Sequence, residues 1–330
     1  MKYGVIINKD TFNLGDDIQS YATEQFLPHT DYEIDREKMD SFCSKDGERV
    51  ATIMGGWFLY NHLNWPPSPF IYPLPISMHF DTFYSKTMGE KITKNFVFED
   101  CGATWFLENG PVGARDEGSK KMLEKFGIPT YFSGCITLTI NPFENVVKHN
   151  KICLVDISED VKNFVKENAT LECIEMTHSV SLKALTWEKR KEIVEKQLKY
   201  YQGASLVVTT RLHVALPCLV LGVPVLFIKE RWALNRTGTW LEYVNNTEKE
   251  ALLSGEYAYD FDNPLENSDK YMIVRNNIIK SCEEYILDCE KKELEYLDKS
   301  MFLDGCRRTE RLKKLMHLRI DKYERELNNH

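Results

Sequence analysis

The chain has 330 residues, longer than one ordinary compact core and suited to two α/β domains with a joining segment. Apolar residues make up 43%, enough for real cores, which argues against a disordered chain. A formal charge of −8 argues against nucleic acid as the main partner, because the phosphate backbone needs a basic footprint, yet it leaves room for an anion in a locally basic pocket.

The N-terminus runs straight into an apolar stretch, KYGVIIN, without a signal-peptide layout, and nowhere do 18 apolar residues follow one another. The nine cysteines are dispersed, with no CxxC pair and no zinc-ligand spacing. Reduced thiols in a soluble cytoplasmic protein, with no metal, are therefore expected.

Lys2 to Asn8 reads as a first buried strand. The loop Asn13-Leu14-Gly15-Asp16-Asp17 follows, and then Ile18, Ala22 and Phe26 recur at helical spacing. That is a strand–turn–helix opening of the doubly wound kind. Glu48 to Trp57 predicts another strand running into a glycine turn, and the stretch from Asn64 to Pro75, rich in proline and aromatics, predicts an irregular surface loop. Further strands are expected over Ile76–Phe80 and Pro129–Phe132, with a helix between Glu117 and Phe126. A composition break falls near Asn141 to Lys151, after which the rhythm restarts with KICLVDI and LECIEMT. Trp187, Val194, Leu198 and Tyr201 share one helical face, and ASLVVTT, RLHVALPCLVLG and VPVLFI read as strand, helix and strand. From Ser268 onward the chain reads as charged helix, with an apolar stripe of Leu312, Met316, Ile320, Tyr323 and Leu327 flanked by Arg307, Arg308, Arg311, Lys313 and Lys314.

Strands alternating with helices imply parallel sheets covered on both faces. Two such blocks suggest two Rossmann-like domains facing across a cleft: an N-terminal one over 1–145, a second over 146–265, and a helical extension over 266–330. Ligands of open α/β sheets bind beyond the carboxyl ends of the strands, so chemistry is sought there.

Three segments qualify. In TTRLHVALPCLVLGVPVLFI a buried strand delivers Arg211 and His213 to a strand–helix junction, where a cation and an imidazole can bind an anion and move a proton. The alternative is an Arg211 paired with a carboxylate and a satisfied core His213. In PVGARDEGSKKMLEKFGI a strand ends at Arg115-Asp116; there the alternative is a helix cap by Asp116 with Arg115 in a surface ion pair. In NLGDDIQS a glycine precedes a helix N-terminus, but two aspartates there would repel a bare phosphate. Capping by Asp16 or Asp17, with Asn13 and Gly15 shaping the turn, competes with an acceptor contact through Asp16. Gly55-Gly56-Trp57 with Pro66-Pro67 either lines a sugar cleft or packs as a hydrophobic loop, and His62 and His79 read as ordinary polar or semi-buried residues.

Taken together, NLGDDIQSYA, GARDEGS with YFSGCITLTI, and TTRLHVALPCLVLGVPV resemble the polysaccharide pyruvyltransferase family, from about Tyr3 to about Trp240. The resemblance implies a glycosyltransferase-B-like pair of Rossmann domains that uses phosphoenolpyruvate to build pyruvate ketals on saccharides in exopolysaccharide biosynthesis. It implies donor roles for Arg115, Arg211 and His213, with His213 as general acid. It also implies a further cation from the loop after the next strand, supplied by Lys229 or Arg231, with Asn235 and Arg236 of that loop as candidates for acceptor contact or for shaping the loop. Asp16 and Asp116 are the candidate bases. Phosphoenolpyruvate is then a co-substrate, and no cofactor or metal is called for. The acceptor is a saccharide, lipid-linked or free. The basic residues of the C-terminal helix, diluted by Glu310, Asp321, Glu324 and Glu326, are expected to be a solvated face of a helix that packs on a domain or a partner; contact with an anionic membrane is the alternative. Two rival functions stay open on the same scaffold: a nucleotide-sugar-dependent glycosyltransferase and a non-catalytic saccharide-binding relative.

Overall fold

The computed structural model describes residues 1–59, 64–80, 97–98, 101–229, 237–293 and 295–328, without the side chains of 101, 317, 320, 323, 324, 327 and 328. The chain opens with β1 (Lys2–Ile7), α1 (Leu14–Glu24), β2 (Tyr32–Asp35), β3 (Val50–Ile53), β4 (Gly56–Phe58), β5 (Ile71–Leu74) and β6 (Met78–Phe80). There follow α2 (Cys101–Asn109), β7 (Val112–Ala114), α3 (Glu117–Lys125) and β8 (Thr130–Phe132). These strands form two parallel sheets, β2-β1-β3-β5 and β4-β6-β7-β8. The two run on into each other: Met54 N–H donates to Leu74 O at 2.9 Å and Gly56 N–H to Ser77 O at 3.3 Å, across the breaks between β3 and β4 and between β5 and β6.

Those breaks correct two expectations. The strand read over Glu48–Trp57 as running into a glycine turn is β3, which ends at Ile53, and beyond the break Gly56 opens a second strand; Gly55, in the break, lies so close to Ile136 that a Cβ would sit 2.9 Å from its Cγ2. The strand read from Ile76 begins only at Met78, since Ser77 takes a φ of 56°, outside any strand conformation. The stretch Asn64–Pro75 is also no surface loop. It contains β5, and Trp65, Ser68, Phe70 and Ile71 are buried. Trp65 stacks on Phe106 with ring centres 5.0 Å apart, so its aromatics serve the core. Pro73 is tolerated because β5 is the edge of its sheet and the missing N–H breaks no second ladder.

The second half contains β9 (Ile152–Val155), α4 (Glu159–Asn168), β10 (Cys173–Met176), α5 (Trp187–Gly203), β11 (Leu206–Thr209), α6 (Leu212–Val220), β12 (Val225–Lys229) and β13 (Asn245–Glu248). Its sheet is parallel throughout, in the order β10-β9-β11-β12-β13. That is the doubly wound order with a switch point between β9 and β11, and β1 and β3 make the corresponding pair in the first half. The short α7 (Lys249–Leu253) leads to the long helices α8 (Tyr271–Lys291) and α9 (Lys299–Asn328).

One apolar core joins the halves. Ile18 and Ala22 of α1, Val155, Val207, Leu219 and Ile278 belong to it, together with the buried turn Ile136–Thr139. Helix α6 is buried on every side from Val214 to Val220, as its unbroken apolar sequence requires. Asp17 of α1 and Arg190 of α5 form a buried ion pair across the halves, with Arg190 Nε donating to Asp17 Oδ2 at 2.7 Å and Nη2 to the Asn8 carbonyl at 2.8 Å. The eight cysteines with described side chains are free thiols. Among the described residues no helix is long and apolar enough to cross a membrane.

The C-terminal apolar stripe is exposed where its side chains are described: Leu312 and Met316 face solvent, while Ile320, Tyr323 and Leu327 lie outside the described side chains. The side of α9 that meets the body carries Phe302, edge-to-face with Phe70 at 5.0 Å, and Lys313, paired with Asp40.

Candidate functional site

Three helices begin at one pocket. Asn13 caps α1, its Oδ1 accepting from Gly15 N–H at 3.1 Å, so the cap is neither Asp16 nor Asp17. Asp116 caps α3 through Ser119 N–H at 2.9 Å, and Arg211 occupies the cap position of α6. The pocket is lined by Asn13, Asp16, Trp57, Arg115, His178, Arg211, Leu212 and His213. All of these except Trp57 sit just beyond the carboxyl ends of parallel strands or in the helix starts that follow them, where helix dipoles present partial positive charge. The two halves touch here directly: Leu14 N–H donates to His178 O at 2.9 Å, and Asn13 bridges Ser179.

Arg115 is buried, not a surface ion-pair partner. Its Nη1 donates to Gln19 Oε1 at 3.3 Å and stands 3.5 Å from His213 Nε2. Its Nε lies 3.5 Å from Asp116 Oδ2. Asp116 is completely buried behind that arginine, which removes it as a base open to an acceptor. Burial by itself would raise the Asp116 pKa, but His79, Arg115 and the Ser119 amide overcome it and hold the carboxyl at about 2. His79 is likewise no ordinary semi-buried residue. Its Nδ1–H donates to Asp116 at 2.6 Å, and its ring meets Trp57 edge-on at 5.1 Å, so one buried imidazole braces both Arg115's counter-ion and a pocket wall. His62 lies outside the described residues.

Arg211 donates from Nε to Asp156 Oδ2 at 3.0 Å and keeps 40% of its side chain exposed. Asp156 follows β9 with a φ of 50°, and burial would raise its pKa. The Thr177 hydroxyl, the His178 amide and Arg211 instead hold it below the usual carboxylate value. The carboxylate therefore aims Arg211 across the pocket mouth without closing it off. His213 packs against the start of α1, where a Cβ on Gly15 would come within 2.9 Å of its Nδ1; glycine is needed there for that approach. Asp16 accepts from Thr11 Oγ1 at 2.7 Å and Asn8 Nδ2 at 3.2 Å, with Arg36 Nη1 3.5 Å away.

Lys229 does not line the pocket; it pairs with Glu248 of the neighbouring strand at 3.0 Å. Arg231, Asn235 and Arg236 lie outside the described residues. Pro66 and Pro67 border a different hollow, with Arg49, Tyr72 and Trp105, so among the described residues of that segment only Trp57 lines the pocket. Among the described residues no group of three or more His, Cys, Asp or Glu is placed to hold a metal.

Sequence reasoning missed His178 and Asp156. Both stand directly after strands, in MTHSV and LVDIS, so the carboxyl-end rule alone would have found them. Tyr201 OH accepts from Gln197 Nε2 at 2.7 Å and lies 2.9 Å from His178 Nε2, which ties the buried imidazole to α5. Burial pushes His178 down to about 4, with Arg211 adding to the effect and Asp156 opposing it. The folded pKa is depressed, so the unfolded chain binds more protons between about 6.5 and 4, and stability falls as pH drops through that window. A loss of about 3 kcal/mol from this group is expected in denaturation curves taken from pH 7 to pH 4. The His178→Gln variant should show that much less acid sensitivity; an unchanged curve would exclude a neutral buried His178.

The comparisons with known proteins bear on this arrangement. The profile described as polysaccharide pyruvyl transferase matches residues 13–230. This chain belongs to the polysaccharide pyruvyl transferase family. The match contains every lining residue of the pocket, and the family marks the chain as a transferase of polysaccharide biosynthesis. The search of curated proteins gave no match. Among solved structures, a functionally uncharacterized protein from Klebsiella pneumoniae is similar at 15% identity with a TM-score of 0.39, over 71% of this chain and 85% of that one. Accessory secretory protein 1, 2 and 3 of Streptococcus pneumoniae is similar at 16% identity with a TM-score of 0.35, over 82% of this chain and 55% of that one.

Proposed function

We propose that this family member transfers the pyruvyl group of phosphoenolpyruvate to two hydroxyls of a saccharide, forming a pyruvate ketal. The observation that carries the reading is the convergence of Arg115, Arg211 and His213 on one pocket, although they are far apart in the chain. In this reading the two halves act as Rossmann-like domains over 1–145 and 146–265, with the donor held between them, and 266–330 is the helical extension.

Phosphoenolpyruvate has a carboxylate and a phosphate, and guanidinium groups suit both through paired hydrogen bonds. Arg115, rigid and buried, takes one anionic group; Arg211, steered by Asp156, takes the other. Two positive groups as close as Arg115 and a protonated His213 repel each other, and the bound anion relieves that repulsion. His213 then gives its proton to the methylene carbon, which makes the adjacent carbon electrophilic. A sugar hydroxyl adds there and loses its proton, inorganic phosphate leaves, and the second hydroxyl closes the ketal with loss of its own proton. The arginines stabilise the charge that builds on the departing phosphate. Asp16, which lines the pocket, serves as the base, and Trp57 offers the sugar an aromatic face.

Thermal unfolding with phosphoenolpyruvate, beside a panel of nucleotide sugars, tests the donor without knowledge of the acceptor. A ligand of the folded state adds about 2.7 kcal/mol at a hundredfold excess over its dissociation constant. Stabilisation by phosphoenolpyruvate that disappears in Arg211→Ala is the expected result. Stabilisation by a nucleotide sugar alone would overturn the proposed donor.

A further inference from the structure

Helix α9 spans 30 residues, and most of its described side chains are exposed. From Met301 to Lys322 only Phe302, Cys306 and Lys313 are even half-buried among the described side chains, and all three lie on one side. At 3.6 residues per turn the opposite side carries Arg308, Arg311, Leu315, Leu318, Arg319 and Lys322. Leu315 and Leu318 are 56% and 65% exposed, and Leu312 at the flank 61%. Glu310 and Asp321 fall to the other flank, and the outward acids stand at the ends of the face, Asp304 beside Arg307 and Glu326 3.8 Å from Lys322, so the central turns from Arg308 to Arg319 present leucines and cations without an acid between them. The helix holds nine lysines and arginines against five aspartates and glutamates, in a chain whose formal charge is −8. Positive charge is concentrated on this one element.

We infer that the outward face of α9 docks on an anionic lipid surface. Leucines on an amphipathic helix enter the acyl boundary, while the long arginine and lysine side chains reach back to the phosphates. Charge complementarity selects this occupant. A second copy of the chain would bring Arg308, Arg311, Arg319 and Lys322 against the same cations, an uncompensated like-charge contact. A negatively charged membrane turns the same residues into attraction, each near the surface adding to binding and each weakened by salt. The face lies away from Phe302 and Lys313, which hold the helix to the first half through Phe70 and Asp40, so docking requires no opening of the fold.

Co-sedimentation of the full-length chain with vesicles tests this. Binding is expected to equimolar phosphatidylcholine and phosphatidylglycerol, to weaken as salt rises, and to be absent on phosphatidylcholine alone. The Leu315→Ser/Leu318→Ser pair and the Arg308→Glu/Arg311→Glu/Arg319→Glu triple should each bind the anionic vesicles roughly tenfold more weakly or less. All five positions are exposed, so thermal unfolding should match that of the parent chain. Failure to bind anionic vesicles, or binding that neither variant weakens, would overturn the inference. So would concentration-dependent dimerisation in sedimentation velocity that both variants abolish, since it would assign the face to a second copy.

Discussion

The His213→Ala variant is expected to lose roughly 10²- to 10⁴-fold in turnover while phosphoenolpyruvate still raises its thermal stability. The separation of the two readouts is the content of the prediction. Arg115 and Arg211 are positioned by other groups, Gln19 and Asp116 for the first and Asp156 for the second, so the anion site survives loss of the imidazole. Proton delivery to the methylene carbon does not survive it, because among the described residues the remaining cations lining the pocket are guanidinium groups that give up no proton near neutral pH. Alanine also leaves Gly15 and the start of α1 uncrowded, so no steric defect confuses the result. A variant as active as the parent would remove His213 as the acid. One that neither turns over nor responds to phosphoenolpyruvate would make it a donor-binding residue instead.

Arg190→Ala should cost about 3–5 kcal/mol of stability, read as a lower midpoint in chemical denaturation. Both Arg190 and Asp17 are almost wholly buried, and among the described residues Asp17 has no other cation in hydrogen-bond contact. Burial pushes the Asp17 pKa up even with Arg190 beside it, so removing the guanidinium leaves a carboxylate that must either stay charged in the core or take up a proton. The Asn8 carbonyl loses its donor as well. Because the pair ties α1 to α5, the halves should loosen where they meet at the pocket. Lys189→Ala, which removes an exposed pair with Glu192 one residue away, should change stability by less than about 1 kcal/mol. Equal effects from the two variants would mean that the buried pair contributes no more than a surface one.

Much of the fold was legible because strand and helix periodicities are local. The βα alternation, the helix over Glu117–Lys125 and the buried face of Trp187, Val194, Leu198 and Tyr201 all follow from neighbours along the chain. The misreadings arose where a residue's partner is distant. Proline and aromatics over 64–75 look like loop until Phe106 covers Trp65. Arg115 looks like a surface cation until Gln19 and His213 close over it. The stripe on α9 was found by period, but a period cannot say which side of a helix meets the body; Phe70 and Asp40 decide that, more than two hundred residues earlier.

What the sequence determined by itself was the set of chemical groups and their placement after strands: Asn13 and Asp16, Arg115, and Arg211 with His213, each at a junction whose dihedral preferences are set within a few residues. What only the tertiary structure decided was their company and their state. His178 and Trp57 join the pocket, Asp156 turns Arg211 toward it, and His79 keeps Asp116 ionised out of reach of solvent. Those outcomes depend on burial and on charges brought together from both halves of the chain, and desolvation and Coulomb energy act through space, where sequence distance carries no information.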